Sequence, residues 1–329
     1  MKKILLNYLR CPVSSETFDI DIIIGDRENI IEGYLISKSR KLKYPILNNI
    51  PRFVEGSNYT DNFGMQWKLF SKTQLDSHSG KSISADRFWK ATGWNISEMR
   101  NKWILDVGCG SGRFAEVALN SGAQVVALDY SSAVDSCWDN LKKNENLHVI
   151  RADIYFLPFL KNTFDFIYCL GVLQHTPDVK KAFNCLPPLL KKKGRLCVDV
   201  YCKSFKSIMH SKYLIRPITK NISREKLFNF LKKITPLMLK FSIFLDKIPL
   251  FGKILKRLIP VANYNGIYDL SKIQLKEWAL LDTFDMLSAK YDNPLRKLEI
   301  FTLMKDSGMK SIEILHAGHL VARGIKDGE

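Results

Sequence analysis

Residues 101–202 predict an α/β fold with a parallel sheet, and three observations carry that prediction. Short apolar runs alternate with stretches of helical periodicity through this region. A glycine-rich turn, Gly108-Cys-Gly110-Ser-Gly112, joins the first apolar run to the first helix pattern. Three carboxylates, Asp106, Asp129 and Asp153, fall at the carboxyl ends of successive runs. Ligands of open parallel sheets bind at those ends.

In chain order, residues 1–57 carry short apolar runs (Phe18–Ile24, Tyr34–Ile36 and Tyr44–Ile46) punctuated by Gly25, Gly33, Pro45, Pro51 and Gly56, which predicts a small β-rich unit. Residues 58–100 hold seven aromatics among polar residues and predict one or two helices forming a cap segment. Within 101–202 the strands expected are Ile104–Val107, Gln124–Leu128, Leu147–Ala152 and Phe164–Leu170, with a helix opening at Phe114 and a fifth strand before residue 202. Residues 203–289 read as a basic helical insertion, divided at Pro236, Pro249 and Pro260. Residues 290–329 return to a helix and two strands, Ser311–His316 and His319–Ile325, so that the core comprises 101–202 with 290–329.

The chain of 329 residues has 46% hydrophobic and 25% charged residues, an ordinary globular balance. Seven cysteines without a CxxC pair argue for a reducing compartment, and against both a disulfide framework and a Cys-rich zinc site. The opening MKKILLNYLRCPV is broken by Asn7 and Arg10, which argues against a signal peptide, and no run reaches the roughly 18 apolar residues of a span. A cytoplasmic protein is expected, with peripheral contact at the inner membrane face as an added reading. Net charge is +17, and residues 203–260 hold fourteen Lys or Arg against Glu225 and Asp246 alone. Such an excess points to an anionic partner.

The glycine turn has two cofactor readings. A dinucleotide fingerprint requires a small residue at position 113, where the helix must pack on the sheet, and this chain has Arg113. The later strands favour an adenosyl ligand instead. Asp129 lies about 20 residues past the glycines, where a carboxylate can accept from both ribose hydroxyls. Asp153 can receive an adenine amino group while Ile154 packs on the ring, and the backbone at Gly171 can meet the other end of the ligand.

These blocks, ILDVGCGSGRF (104–114), ALDYS (127–131), RADIYFLPF (151–159), FDFIYCLGVLQHTPD (164–178) and LLKKKGRLCVDVY (189–201), resemble the class I S-adenosylmethionine-dependent methyltransferases. The resemblance implies a Rossmann-like seven-stranded core with S-adenosylmethionine as cofactor. It places Asp106 behind the glycine loop, Gly108, Gly110 and Gly112 under the methionine portion, Asp129 at the ribose, Asp153 and Ile154 at the adenine and Gly171 beside the methionine, with Tyr130 and Leu170 also among the cofactor-binding residues. Phe63-Gly-Met-Gln-Trp67 and Asp86-Arg87-Phe88 are similar to the N-terminal helical segment of small-molecule methyltransferases of bacterial glycan and natural-product pathways. By that likeness Arg87 reaches the methionine carboxylate and Gln66 or Trp67 closes the pocket; the competing reading makes Arg87 a surface residue. Cys11-Pro-Val-Ser14 and residues 43–53 resemble the zinc-ribbon-like domain of a tRNA methyltransferase activator, but Ser14 replaces the second thiolate, so no metal is expected and docking is the role foreseen.

His175, in Gly171-Val-Leu-Gln-His-Thr-Pro177, is the candidate general base, since an imidazole titrates near neutrality. Its alternative role is to shape the loop before a helix at Asp178. The same loop lacks the (Asp/Asn)-Pro-Pro-(Tyr/Phe) motif of nucleic-acid amino methyltransferases, and Cys169 stands alone, without the partner cysteine of 5-methylcytosine chemistry. Trp278, Asp282 and Asp285 resemble the pocket-lining segment of the small-molecule group. The insertion reads as a lid, as a basic amphipathic surface for an anionic membrane, or as a nucleic-acid face, in that order. The function expected is methyl transfer to oxygen or nitrogen of a small molecule, sugar, glycan or lipid-linked intermediate. The alternatives are an RNA methyltransferase and a non-catalytic S-adenosylmethionine-binding partner protein.

Overall fold

The computed structural model describes residues 1–328 except 40, 55, 57, 204–210 and 250, and the side chain of Lys253. Its centre is a seven-stranded sheet. Five strands run parallel: β5 (Trp103–Val107), β6 (Gln124–Asp129), β7 (Leu147–Arg151), β8 (Phe164–Cys169) and β9 (Leu190–Val200). Two more, β10 (Met309–Ala317) and β11 (His319–Lys326), close one edge antiparallel, giving the order β10-β11-β9-β8-β5-β6-β7. Both faces of the central strands are buried, so their sequences are nearly all apolar. Leu105 and Val107 point into one core layer with Val126, Leu128 and Ile167, while Ile104 joins Val125, Ala127 and Phe166 in the other. The fold is a Rossmann-like α/β core.

After β5 the chain builds β6 and β7 on one side and β8 on the other. That reversal opens a crevice beyond the carboxyl ends of β5 and β8. Of the three acids, Asp106 sits inside β5, Asp129 closes β6, and Asp153 lies two residues past β7.

The N-terminal residues form a four-stranded antiparallel meander: β1 (Phe18–Gly25), β2 (Ile30–Ser37), β3 (Lys43–Leu47) and β4 (Ile50–Pro51). Cys11 is buried against the Tyr44 hydroxyl at 3.5 Å. Among the described residues no His/Cys/Asp/Glu group could hold a metal ion. The unit docks on the sheet edge: Arg10 N–H donates to the Pro158 carbonyl, Leu160 N–H to Tyr8, and Phe53 N–H to Arg151. Leu5, Leu9, Ile30, Leu35 and Ile46 merge with the core layer that holds Leu105 and Ile150.

Where one or two helices were expected between 58 and 100, four short ones occur: α1 (Asp61–Leu69), α2 (Asp76–Ser79), α3 (Ile83–Thr92) and α4 (Ile96–Met99). Polar side chains close these turns locally. Both Asp76 carboxylate oxygens accept from the first N–H groups of α3, those of Ser84 and Ala85, and Asn95 caps α4 through a capping box with Glu98. The sheet carries α5 (Arg113–Asn120), α6 (Ala133–Leu141) and α7 (Val179–Asn184), the last capped by the Asp178 side chain on Lys181 N–H.

The insertion comprises α8 (Lys212–Thr219), α9 (Arg224–Asp246), α10 (Phe251–Lys256) and α11 (Lys272–Ser288), before α12 (Lys297–Asp306) rejoins the core. Pro236 does not divide it, contrary to expectation: α9 runs 23 residues straight through. The interior proline costs about 3 kcal/mol. One continuous apolar face offsets that cost, with Leu227 and Leu231 packed with Phe284 and Leu287, and Leu239 packed with Leu275 and Ala279.

Leu9 is fully buried where the N-terminal unit meets the sheet. Leu9→Ala is expected to cost ~2–5 kcal/mol in urea unfolding; unchanged stability would mean that the two parts do not share a core.

Candidate functional site

The crevice opens into a cavity of about 780 Å³. Its floor is the turn after β5, where Gly108 and Gly112 have φ of +83° and +98°. A Cβ at Gly108 would stand 2.3 Å from the Val172 side chain, and one at Gly112 2.6 Å from Leu141. Both positions therefore demand glycine twice over, by conformation and by space. The Gly110 N–H donates to one Asp129 carboxylate oxygen at 3.0 Å, while the other accepts from the Ser131 N–H and hydroxyl at 2.8 and 2.7 Å. Burial raises the Asp129 pKa despite those donors. Behind the turn, burial pushes the Asp106 carboxyl up to about 8, with the Tyr168 hydroxyl opposing the shift.

Of the cofactor residues expected from sequence, Arg87, Gly108, Gly110, Asp129, Tyr130, Ile154, Leu170 and Gly171 line the cavity, as do Gln66, Trp67 and His175. Asp106, Gly112 and Asp153 are not among the lining residues. Asp153 accepts from Tyr155 N–H at 3.0 Å, closing the turn after β7. Arg87 is no surface residue: it bonds Asp199 at 2.8 Å, and its Nε is buried with no partner. The Gly171 N–H also donates to Asp199.

The far end of the cavity is aromatic and acidic. Tyr201, Tyr213, Tyr264, Tyr268 and Trp278 line it with Asp282 and Asp285. Burial pushes Asp282 up to about 6, partly offset by the Tyr264 hydroxyl that donates to it, and raises Asp285 as well. Burial also lowers His319 to about 4, so its ring is neutral. His175 has the Phe63 and Tyr201 rings at 5.3 and 5.4 Å. Its Nδ1 lies 3.0 Å from the Tyr291 carbonyl oxygen.

Several of these residues escaped the sequence reading. Asp199 had a visible signal, a carboxylate within the otherwise apolar end of β9. Tyr201, Tyr213, Tyr264, His316 and His319 had none, because they come from elements distant in sequence. Arg113 served only to exclude a dinucleotide; it is buried over the Phe114 and Trp278 rings and bonds Ser84 and Gln74.

Burial pushes the Asp282 carboxyl up to about 6, against 3.8 for a free aspartate. The folded state thus favours its protonated form, and the stability this contributes is full below pH 4 and lost as pH rises to about 6. Asp282→Asn keeps an acceptor for Tyr264 and is expected to raise the melting temperature at pH 7 while flattening the profile between pH 4 and 6. An unchanged profile would place the Asp282 pKa elsewhere.

A family model described as "Methyltransferase domain" matches residues 105–198. Over 137 residues the chain is 29% identical to "Ubiquinone biosynthesis O-methyltransferase" of Coxiella burnetii, covering 41% of this chain and 55% of that protein. It is 24% identical over 187 residues to "O-methyltransferase resE" of Aspergillus sclerotiorum, covering 53% and 70%. A solved O-methyltransferase family protein from Burkholderia thailandensis overlaps 77% of this chain and 60% of its own, at 10% identity and a TM-score of 0.44. The chain thus spans about half the length of the Coxiella relative. Residues 105–198 are a methyltransferase domain, and the cofactor such a domain implies is S-adenosylmethionine.

Proposed function

We propose that this chain is an S-adenosylmethionine-dependent methyltransferase acting on oxygen or nitrogen of a small-molecule acceptor. One observation carries the reading: a single cavity takes in both the glycine turn with Asp129 and the end lined by His175, Tyr201 and Asp285. Donor and acceptor would then meet in one space. Its volume lies in the range of ordinary small-molecule sites. Sugars, glycans and lipid-linked intermediates are the acceptor classes within this reading.

The residues present fit the cofactor. Gly171 borders the cavity with nothing within 4 Å of where a Cβ would stand, and Arg87 Nε and Gln66 Oε1 are buried polar atoms on the cavity wall without partners among the described residues. Asp129 would hold the ribose hydroxyls, Tyr130 and Ile154 the adenine, and Arg87 Nε the methionine carboxylate. When bound, S-adenosylmethionine supplies an electrophilic methyl group on a sulfonium. The chain's own task is alignment and removal of a proton from the acceptor. His175 suits the second. A carbonyl oxygen can only accept, so the contact with Tyr291 requires the proton on Nδ1 and leaves Nε2 as a proton acceptor. The charge of Asp285 couples to His175 and would stabilise the imidazolium formed.

Calorimetry with S-adenosylmethionine should detect binding, weakened about 10- to 100-fold in Asp129→Ala. His175→Ala should lower kcat by about 10²–10⁴ while cofactor affinity stays the same. No heat of binding would sink the reading. Labelled methyl groups recovered in RNA would replace the small-molecule acceptor, and label in no fraction despite binding would favour a non-catalytic partner protein.

A further inference from the structure

Among the described residues the insertion has a second, unpartnered face. While Leu227, Leu231, Leu239 and Leu245 of α9 are buried, Phe230, Leu237, Phe241 and Phe244 recur at helical spacing on the other side and are 55–66% exposed. The neighbouring helices also expose apolar side chains: Leu214 and Ile218 of α8 are 77% and 70% exposed, Phe251 and Ile254 of α10 72% and 64%. Isolated exposed hydrophobics are ordinary, but eight on three consecutive helices mark an interaction surface.

The charges around that face say what covers it. Lys233, Lys240 and Lys247 recur every seven residues along one side of the apolar stripe; all are exposed, and none is in an ion pair among the described residues. No acidic residue occurs between Glu225 and Asp246, and Asp246 is itself paired with Lys256 at 2.7 Å. A second copy of the chain would set lysine row against lysine row. A nucleic acid would satisfy the lysines but not the leucines and isoleucines between them.

We propose that this face rests on an anionic lipid bilayer, with the lysines among the headgroups and the phenylalanines and leucines at the acyl boundary. The geometry suits that placement: 23 helical residues span about 35 Å, long enough to lie flat as an interfacial element. No helix among the described residues is long and apolar enough to cross a membrane. Lys212 and Tyr213 of α8 line the cavity immediately before the exposed Leu214, so docking brings the cavity wall to the lipid surface. In this last respect the inference rests on the methyltransferase reading, and it names where the acceptor is met.

The test is co-sedimentation of the full chain with vesicles of phosphatidylcholine plus phosphatidylglycerol, and with vesicles of phosphatidylcholine alone. Binding is expected to the mixed vesicles, to weaken as salt rises, and to be about tenfold or more weaker on the neutral ones. The double variants Phe241→Ser with Phe244→Ser, and Lys233→Glu with Lys240→Glu, should each lose about tenfold or more in vesicle affinity. Their melting temperatures and their heat of S-adenosylmethionine binding should stay unchanged. No binding to either vesicle, equal binding to both, or a dimer that the serine variant dissolves would overturn the proposal. Vesicle binding without any heat from S-adenosylmethionine would support docking and sink the methyltransferase reading alone; the reverse pattern would sink docking alone.

Discussion

The fully buried carboxylate of Asp199 holds the parts of this molecule together. A charge placed inside a sheet costs several kcal/mol unless it is paired and hydrogen-bonded. Asp199 meets that condition by drawing in two groups from far along the chain, the Arg87 guanidinium on α3 and the Gly171 N–H after β8. Burial alone would lower the Arg87 pKa, but the Asp199 charge more than compensates and keeps the guanidinium ionised. The cap segment and the loop that leads to His175 are thereby tied to the same strand.

The two ends of the cavity are built on different physical terms. Around the glycine turn the groups that face inward are backbone and small residues, held by positive φ angles and by contacts that admit no Cβ. At the far end the lining consists of rings and buried acids. There desolvation favours neutral forms, raising Asp282 and Asp285 and lowering His319. In such surroundings hydrogen-bond partners decide where each proton sits, as the Tyr291 carbonyl does for His175.

The insertion shows how one helix can serve two environments. Its inward residues pack on α11 firmly enough to carry a proline through the middle of α9, and Arg216 and Lys212 anchor α8 to the buried Asp292. Its outward side sets Phe230, Leu237, Phe241 and Phe244 among exposed lysines, so apolar side chains occur on the enclosed face and on the open one.

The sequence by itself determined the core. Apolar runs of strand length, a glycine turn and acids at strand ends are local signals, because strand, turn and helix each depend on neighbours within a few residues. Asp129, Gly108, Gly110 and Ile154 were legible for that reason, and all line the cavity. Pro236 misled because a local helix-breaking preference gave way to packing against α11, a contact invisible in the linear chain. Whether Arg87 is a surface or a cavity residue was equally undecidable from α3 alone. Its partner lies 112 positions away, and only the tertiary structure, by burying Asp199 beside it, supplied the electrostatic reason for its place. The same holds for Tyr201, Tyr264 and His319, which become one surface only once β9, β11 and the insertion are folded around a shared space.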